Sequence, residues 1–296
     1  MTKCKNCPFF CAATHVCSAS HQHYLDNCRI ATNKFMFIPG GTFEIGNEWD
    51  DESNSERYST ERYSTGNLIH TATISSFYIQ QYEVTAADYA IFLNEVGNQV
   101  AGGSIWFHEN DYSNIYEVNG VFSARPGRNN HPMNNISWYG AKAYCAWLGK
   151  RLERDVRLPS EAQWEYAAGN GKRHTKWSLC DEFNANDYVH ARNYRTETPR
   201  ANTAPVGSIR PNDFGLYDMC GNVWEWCLDK YRRDWYNDKA ASSTDPICNQ
   251  NNDNTGYCVV RGGSWRSISN GLRSAKRESS DPDYKNSSLG FRCVYI

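Results

Sequence analysis

A 296-residue chain with a formal net charge of −2 carries no electrostatic footprint for nucleic acid. Its 40% hydrophobic content excludes wholesale disorder, and no apolar run approaches the roughly 20 residues of a membrane helix. The length suits one large domain, or one domain with an appendage.

In chain order, residues 1–34 read as a separate Cys-rich tail. Five of the 12 cysteines, Cys4, Cys7, Cys11, Cys17 and Cys28, fall here beside His15, His21 and His23. The stretch has no apolar core of a secretory signal, which points to a reducing compartment. Thiolate and imidazole ligands suit Zn²⁺ or an iron–sulfur centre. The spacing matches no strong template, so disulfides and unligated thiols stay open as alternatives.

The main domain is expected over 35–296. Phe35, Phe37 and Ile38, then Pro39-Gly40-Gly41, then Phe43 and Ile45 read as strand, turn, strand. A tandem Glu-Arg-Tyr-Ser-Thr at 56–60 and 61–65 reads as a solvated insertion. Alternation resumes from Ala72 to Val84. Thr85-x-x-Asp88 predicts a helix start ahead of Tyr89, Phe92 and Leu93. Asn119-Gly120 predicts a hairpin turn. Ser137 and Ser160-x-x-Gln163 predict two further helix starts, and 170–200 is irregular. A strand is expected at 258–265 and a last apolar strand at 289–296.

The densest segment is 203–227. Asn212, Asp213 and Gly215 mark a turn, and Gly221-Asn222 marks a second. Trp224 and Trp226 flank Glu225. A carboxylate buried among indoles needs a partner, either a hard cation or an arginine.

This segment resembles the Gly-Leu-x-Asp-Met-x-Gly-Asn-Val-Trp-Glu-Trp signature of the formylglycine-generating enzyme (sulfatase-modifying factor) family. Further landmarks follow the same order: Phe37–Gly46, Tyr82-Glu-Val-Thr85, His131-Pro132, Arg157–Ala168, Arg261-Gly-Gly-Ser-Trp265 and Gly290-Phe-Arg292. The resemblance implies an α+β, C-type-lectin-like fold, loop-rich, with few helices and short antiparallel strands. It implies a structural Ca²⁺ held by Asp218, Gly221, Val223 and Glu225. A second site would start at Asn193 and Tyr194, but Thr198 stands where its Asp belongs. In some relatives the counterparts of Cys145 and Cys293 form a disulfide; two buried thiols are the alternative.

The family's catalytic copper is held by two Cys placed shortly after Arg-Gly-Gly-Ser-aromatic, because Cu(I) wants soft thiolates. Ser267 and Leu272 occupy those positions here. Non-haem-iron relatives bring histidines on an extra helical domain that this sequence lacks. The segment 266–289 instead mixes short polar residues with a few large ones inside a fixed frame. It resembles the mutated face of diversity-generating retroelement variable proteins, which share the fold. The resulting expectation is a non-catalytic module, cytoplasmic or phage-associated. It would bind a protein or small molecule through Arg266, Ser267, Ile268, Ser269, Asn270, Leu272, Lys276, Glu278, Tyr284 and Ser287. The alternative is a family oxidoreductase, oxygen-dependent or using non-haem iron, with a non-standard site.

Overall fold

The computed structural model describes residues 34–46, 69–171, 176–179, 202–251 and 256–296. The tail cysteines, the tandem repeat and Asn193-Tyr194 lie outside the described residues. Strands β1 (Phe35–Ile38) and β2 (Gly41–Ile45) appear where alternation placed them. They do not pair with each other. β2 pairs with β3 (His70–Ile74), and β1 pairs with β4 (Phe77–Gln80). Pro39-Gly40 is thus a corner between sheets: a Cβ on Gly40 would sit 2.6 Å from the Ile74 carbonyl.

Helix α1 (Ala86–Val96) starts where Thr85 Oγ1 accepts the Asp88 N–H at 3.2 Å. Two short hairpins follow. The first is β5 (Val100–Ala101) with β6 (Ser104–Ile105); the second is β7 (Ile115–Val118) with β8 (Val121–Ala124). In the second, Asn119 and Gly120 have φ of 53° and 80°, the two positive values of a hairpin turn matched to strand twist. Helix α2 (Trp138–Leu152) is capped by Ser137, and α3 (Glu161–Ala168) by the full Ser160/Gln163 box. Between them lies β9 (Val156–Arg157).

The 203–227 segment runs into β10 (Trp224–Lys230), followed by β11 (Cys258–Arg261), β12 (Arg277–Ser280), β13 (Leu289–Gly290) and β14 (Val294–Tyr295). Two four-stranded sheets result, ordered β1-β4-β14-β9 and β12-β11-β10-β13. The strand expected over 258–265 stops at Arg261, because Gly262 and Gly263 take φ of 92° and 74°. The last apolar run is likewise two strands in different sheets. Phe291, Arg292 and Cys293 turn inward between them and are fully buried.

β10 is buried on both faces. Trp226 faces a core of Tyr89, Phe92, Trp106, Tyr144, Trp147 and Phe291, while Cys227 faces a second core built on Phe43, Phe77, Trp164 and Val259. Tyr89 stacks on Tyr144 at 5.6 Å and Tyr144 meets Phe291 edge-on at 5.4 Å. Such ring pairs add roughly 0.5–1.5 kcal/mol each beyond area burial. Cys145 and Cys293 stand here as thiols with sulfurs 3.5 Å apart.

A buried ion network ties α3 to β11 and β12. Arg261 bonds Glu161 at 3.0 Å and also Glu165, and Arg277 grips Glu161 through Nε and Nη2 at 2.6 and 2.8 Å. Asp229, on β10, accepts the backbone N–H of Glu161 and Cys248, each at 2.8 Å. Burial first, then Glu161, pushes its carboxyl up to about 7.

Two outcomes are expected. A Cβ on Gly290 would lie 2.5 Å from the Met133 carbonyl, so Gly290→Ala should cost about 1–3 kcal/mol, seen as a lower urea midpoint. Asp229 holds its proton more tightly folded than unfolded, where a carboxyl titrates near 4. Its contribution is complete below pH 4 and is lost as pH rises toward about 7. Unfolding free energy should therefore fall between pH 4 and 7, and Asp229→Ser should shallow that slope.

Candidate functional site

Three loops converge where β11 ends and β10 begins. After Gly263 the chain closes on itself: the Ser264 N–H donates to Ser267 Oγ at 3.0 Å, and the Ser267 N–H returns to the Ser264 carbonyl at 2.9 Å. A single 3-10 turn follows at Ser269–Leu272. Trp265 donates its indole N–H to the Ser287 carbonyl at 3.3 Å, pinning the 284–288 loop. Buried Asn134 donates to the carbonyls of both Tyr112 and Ser287 at 3.0 Å. The Asn135 N–H reaches the Asn286 carbonyl at 3.0 Å. The loop at 108–114 therefore joins the face.

Of the residues expected on this face, Arg266 and Tyr284 are exposed, and Ser267, Ile268, Ser269, Asn270 and Glu278 are half-buried. Leu272, Lys276 and Ser287 are corrections, because the fold buries all three. Leu272 is sealed against Trp177 and Cys220. Lys276 folds back on Glu278, 3.4 Å away. Ser287 offers its carbonyl inward to Trp265 and Asn134. Tyr112 was missed from the sequence, since nothing in 108–114 signals that Asn134 draws it to the face.

The copper positions do not suit Cu(I). Ser267 Oγ is engaged by the Ser264 N–H, and Leu272 is an apolar plug. Cys220 borders Leu272, but its sulfur accepts the Ser178 N–H at 3.2 Å, and one thiol is not a thiolate pair. His131 is a packed residue: its Nδ1 lies 3.0 Å from both Thr203 Oγ1 and Arg128 Nη1.

The acidic cluster around Glu225 is buried and charge-rich. Glu225 Oε1 accepts Arg292 Nη2 at 2.7 Å, while Oε2 accepts Arg292 Nε at 2.8 Å and Trp164 Nε1 at 2.9 Å. Arginine is thus the partner the indoles leave for Glu225. Arg292 also donates to the carbonyls of Gln80, Gln81 and Tyr217. Asp218, at φ 60°, accepts the Gly207 N–H at 2.6 Å. Burial raises its carboxyl to about 6, and burial with Asp218 as neighbour raises Glu83 well above its usual range. Glu83 is the sequence landmark whose role went unread.

Burial thus favours a proton on the Glu83–Asp218 pair, which offsets part of the negative charge facing Arg292. Asp218 and Gly221 line a shallow, solvent-open cleft with Arg210 and Asn222. Val223 and Glu225 are buried. Among the described residues no three His, Cys, Asp or Glu side chains converge in metal-holding geometry, so any such ion would lean on backbone carbonyls.

Removing Arg292 alone should strand Glu225. Arg292→Met should cost about 3–5 kcal/mol in urea unfolding, and the double variant with Glu225→Met should recover part of the loss.

The fold is shared with known proteins. The chain is 33% identical to the serine/threonine-protein kinase Pkn1 of Chlamydia trachomatis over 266 residues, covering 88% of this chain and 38% of that protein. This chain therefore spans well under half the length of its Pkn1 relatives. It is 31% identical to the formylglycine-generating enzyme of Streptomyces coelicolor, covering 87% of each. Among solved structures, PvdO from Pseudomonas aeruginosa aligns with a TM-score of 0.68 at 26% identity, over 88% of this chain and 93% of that one. Treponema denticola variable protein 1 shares the fold with a TM-score of 0.61 at 21% identity, over 88% and 94%. The family model for the sulfatase-modifying factor enzyme 1-like domain matches residues 21–295, starting inside the segment read as a tail, and the chain belongs to that family.

Proposed function

We propose that this chain is a binding module on a formylglycine-generating-enzyme scaffold, presenting the face made by residues 266–270, 284–288 and Tyr112. One observation carries the reading: the position of the second copper thiolate is filled by Leu272, fully buried against Trp177 and Cys220. An isobutyl group built into a small apolar core is a structural commitment, and it leaves the neighbouring loop free to serve contact. That loop rests on a stiff frame, which is how binding residues are commonly carried.

The reading extends to a structural Ca²⁺ near Asp218 and Gly221. Its support is the buried acid pair Glu83 and Asp218, which holds a proton that a hard cation would replace. The ion would act on stability, with no chemistry of its own. A diversity-generating retroelement origin, in a cytoplasmic or phage-associated setting, belongs to the same proposal. It is tested by the neighbouring DNA: a near-copy of the 3′ coding segment beside a reverse transcriptase supports it, and its absence removes it. Among the described residues no helix is long and apolar enough to cross a membrane.

Incubation with a Cys-containing sulfatase-type peptide, oxygen and copper should leave the peptide mass unchanged. A mass loss matching thiol-to-aldehyde conversion would overturn the binding reading. Excess chelator should lower the melting temperature, and Asp218→Asn should blunt that sensitivity. An unchanged melting curve would remove the calcium proposal without touching the binding face.

A further inference from the structure

Arg266 is the exposed cation at the centre of this face. Its guanidinium carbon lies 4.4 Å from the Trp265 ring centroid and 5.9 Å from that of Tyr112. Its backbone N–H is spent on Ser264 Oγ at 3.3 Å. Among the described residues its side chain forms no ion pair, and aromatic rings are its only recorded neighbours. The pattern differs from that of three buried arginines of the same fold. Arg261, Arg277 and Arg292 each meet a carboxylate.

The Trp265 ring and the Tyr112 backbone are held from below. Trp265 is tied through its indole N–H to Ser287, and the Tyr112 carbonyl is tied to the same Ser287 carbonyl through Asn134. Rings that hold a guanidinium by its face leave its N–H edge open, and that edge matches a carboxylate through two parallel hydrogen bonds. Tyr112, beside the arginine, is 49% exposed, and Tyr284, on the loop that Trp265 pins, is 52% exposed. Tyr, Trp and Arg together are the composition of an energetic centre in a protein–protein contact.

Resting on the binding-face reading above, we infer that Arg266 is the anchor for a carboxylate side chain of an acidic polypeptide segment. A nucleic acid would need a stripe of cations, and a chain of net charge −2 shows no such electrostatic footprint. A buried small molecule would need a cavity at Arg266, whereas the cleft beside Asp218 is lined by other residues.

The test is selection of random twelve-residue peptides on the immobilised full chain. Recovered peptides should be enriched in Asp and Glu. The same selection on Arg266→Gln should lose that enrichment, with an unchanged melting curve showing that the variant folds. A recovered peptide remade with Gln and Asn for its acids should bind at least tenfold more weakly by fluorescence anisotropy, and the contrast should shrink at high salt. Neutral or basic peptides that depend on Tyr112 and Tyr284 but not on Arg266 would overturn the carboxylate anchor and leave the face standing. Peptides indifferent to all three residues, or no peptides above background, would overturn both.

Discussion

Arg292 is the residue on which the rest of the molecule hangs. It is fully buried, and its donors reach Glu225 on β10, the carbonyls of Gln80 and Gln81 after β4, and the carbonyl of Tyr217 in the loop before β10. One guanidinium therefore ties the C-terminal strand region, the first sheet and the signature loop together. Its planar fork does this because each N–H points at a different acceptor, which a lysine could not match. A buried ion pair of this kind gains little against a hydrophobic replacement of equal shape, but breaking it from one side is costly. What the pair secures is register. Glu225 pairs with Gly290 on one side and Arg261 on the other, so fixing it fixes three strands.

The second ion network repeats the arrangement on the neighbouring flank. Arg261 and Arg277 both converge on Glu161 at the first turn of α3. Arg261 closes β11 and Arg277 opens β12, so the segment between them is clamped at both ends. That segment is 262–276, which carries the candidate face. The geometry explains how a loop rich in Ser, Asn and Gly holds one conformation. It is anchored by buried charges at its ends, plugged by Leu272 in its middle and pinned by Trp265 to a neighbouring loop. Variation at Arg266 to Asn270 would then change contact chemistry with little effect on the core.

The same frame sets what stands at the two positions that the family resemblance assigns to copper. A thiolate pair requires two sulfurs free to turn toward one metal. Here one position is a hydroxyl engaged with a backbone N–H, and the other is an apolar side chain facing the interior.

The sequence by itself determined the local elements and the family. Thr85, Ser137 and Ser160 marked their helix starts, and Asn119-Gly120 marked its hairpin, because caps and turns depend on a few neighbouring residues. Period-two alternation located β1 to β4. It could not pair them, since pairing depends on what Gly40 packs against across the corner. β10 was not legible as a strand: Asp229 looks solvent-facing until the N-terminus of α3 is placed beside it, and of the two partners the sequence left open for Glu225 only the fold supplies Arg292. Exposure on the candidate face was likewise a tertiary decision. Arg266 and Tyr284 point outward, but Leu272, Lys276 and Ser287, of the same local character, do not. Tyr112 reaches the face through a buried asparagine 22 residues away. Local residue chemistry fixes backbone shape over a few residues. Which side chain meets solvent, and which distant loops share a surface, is settled only when buried polar groups find their partners.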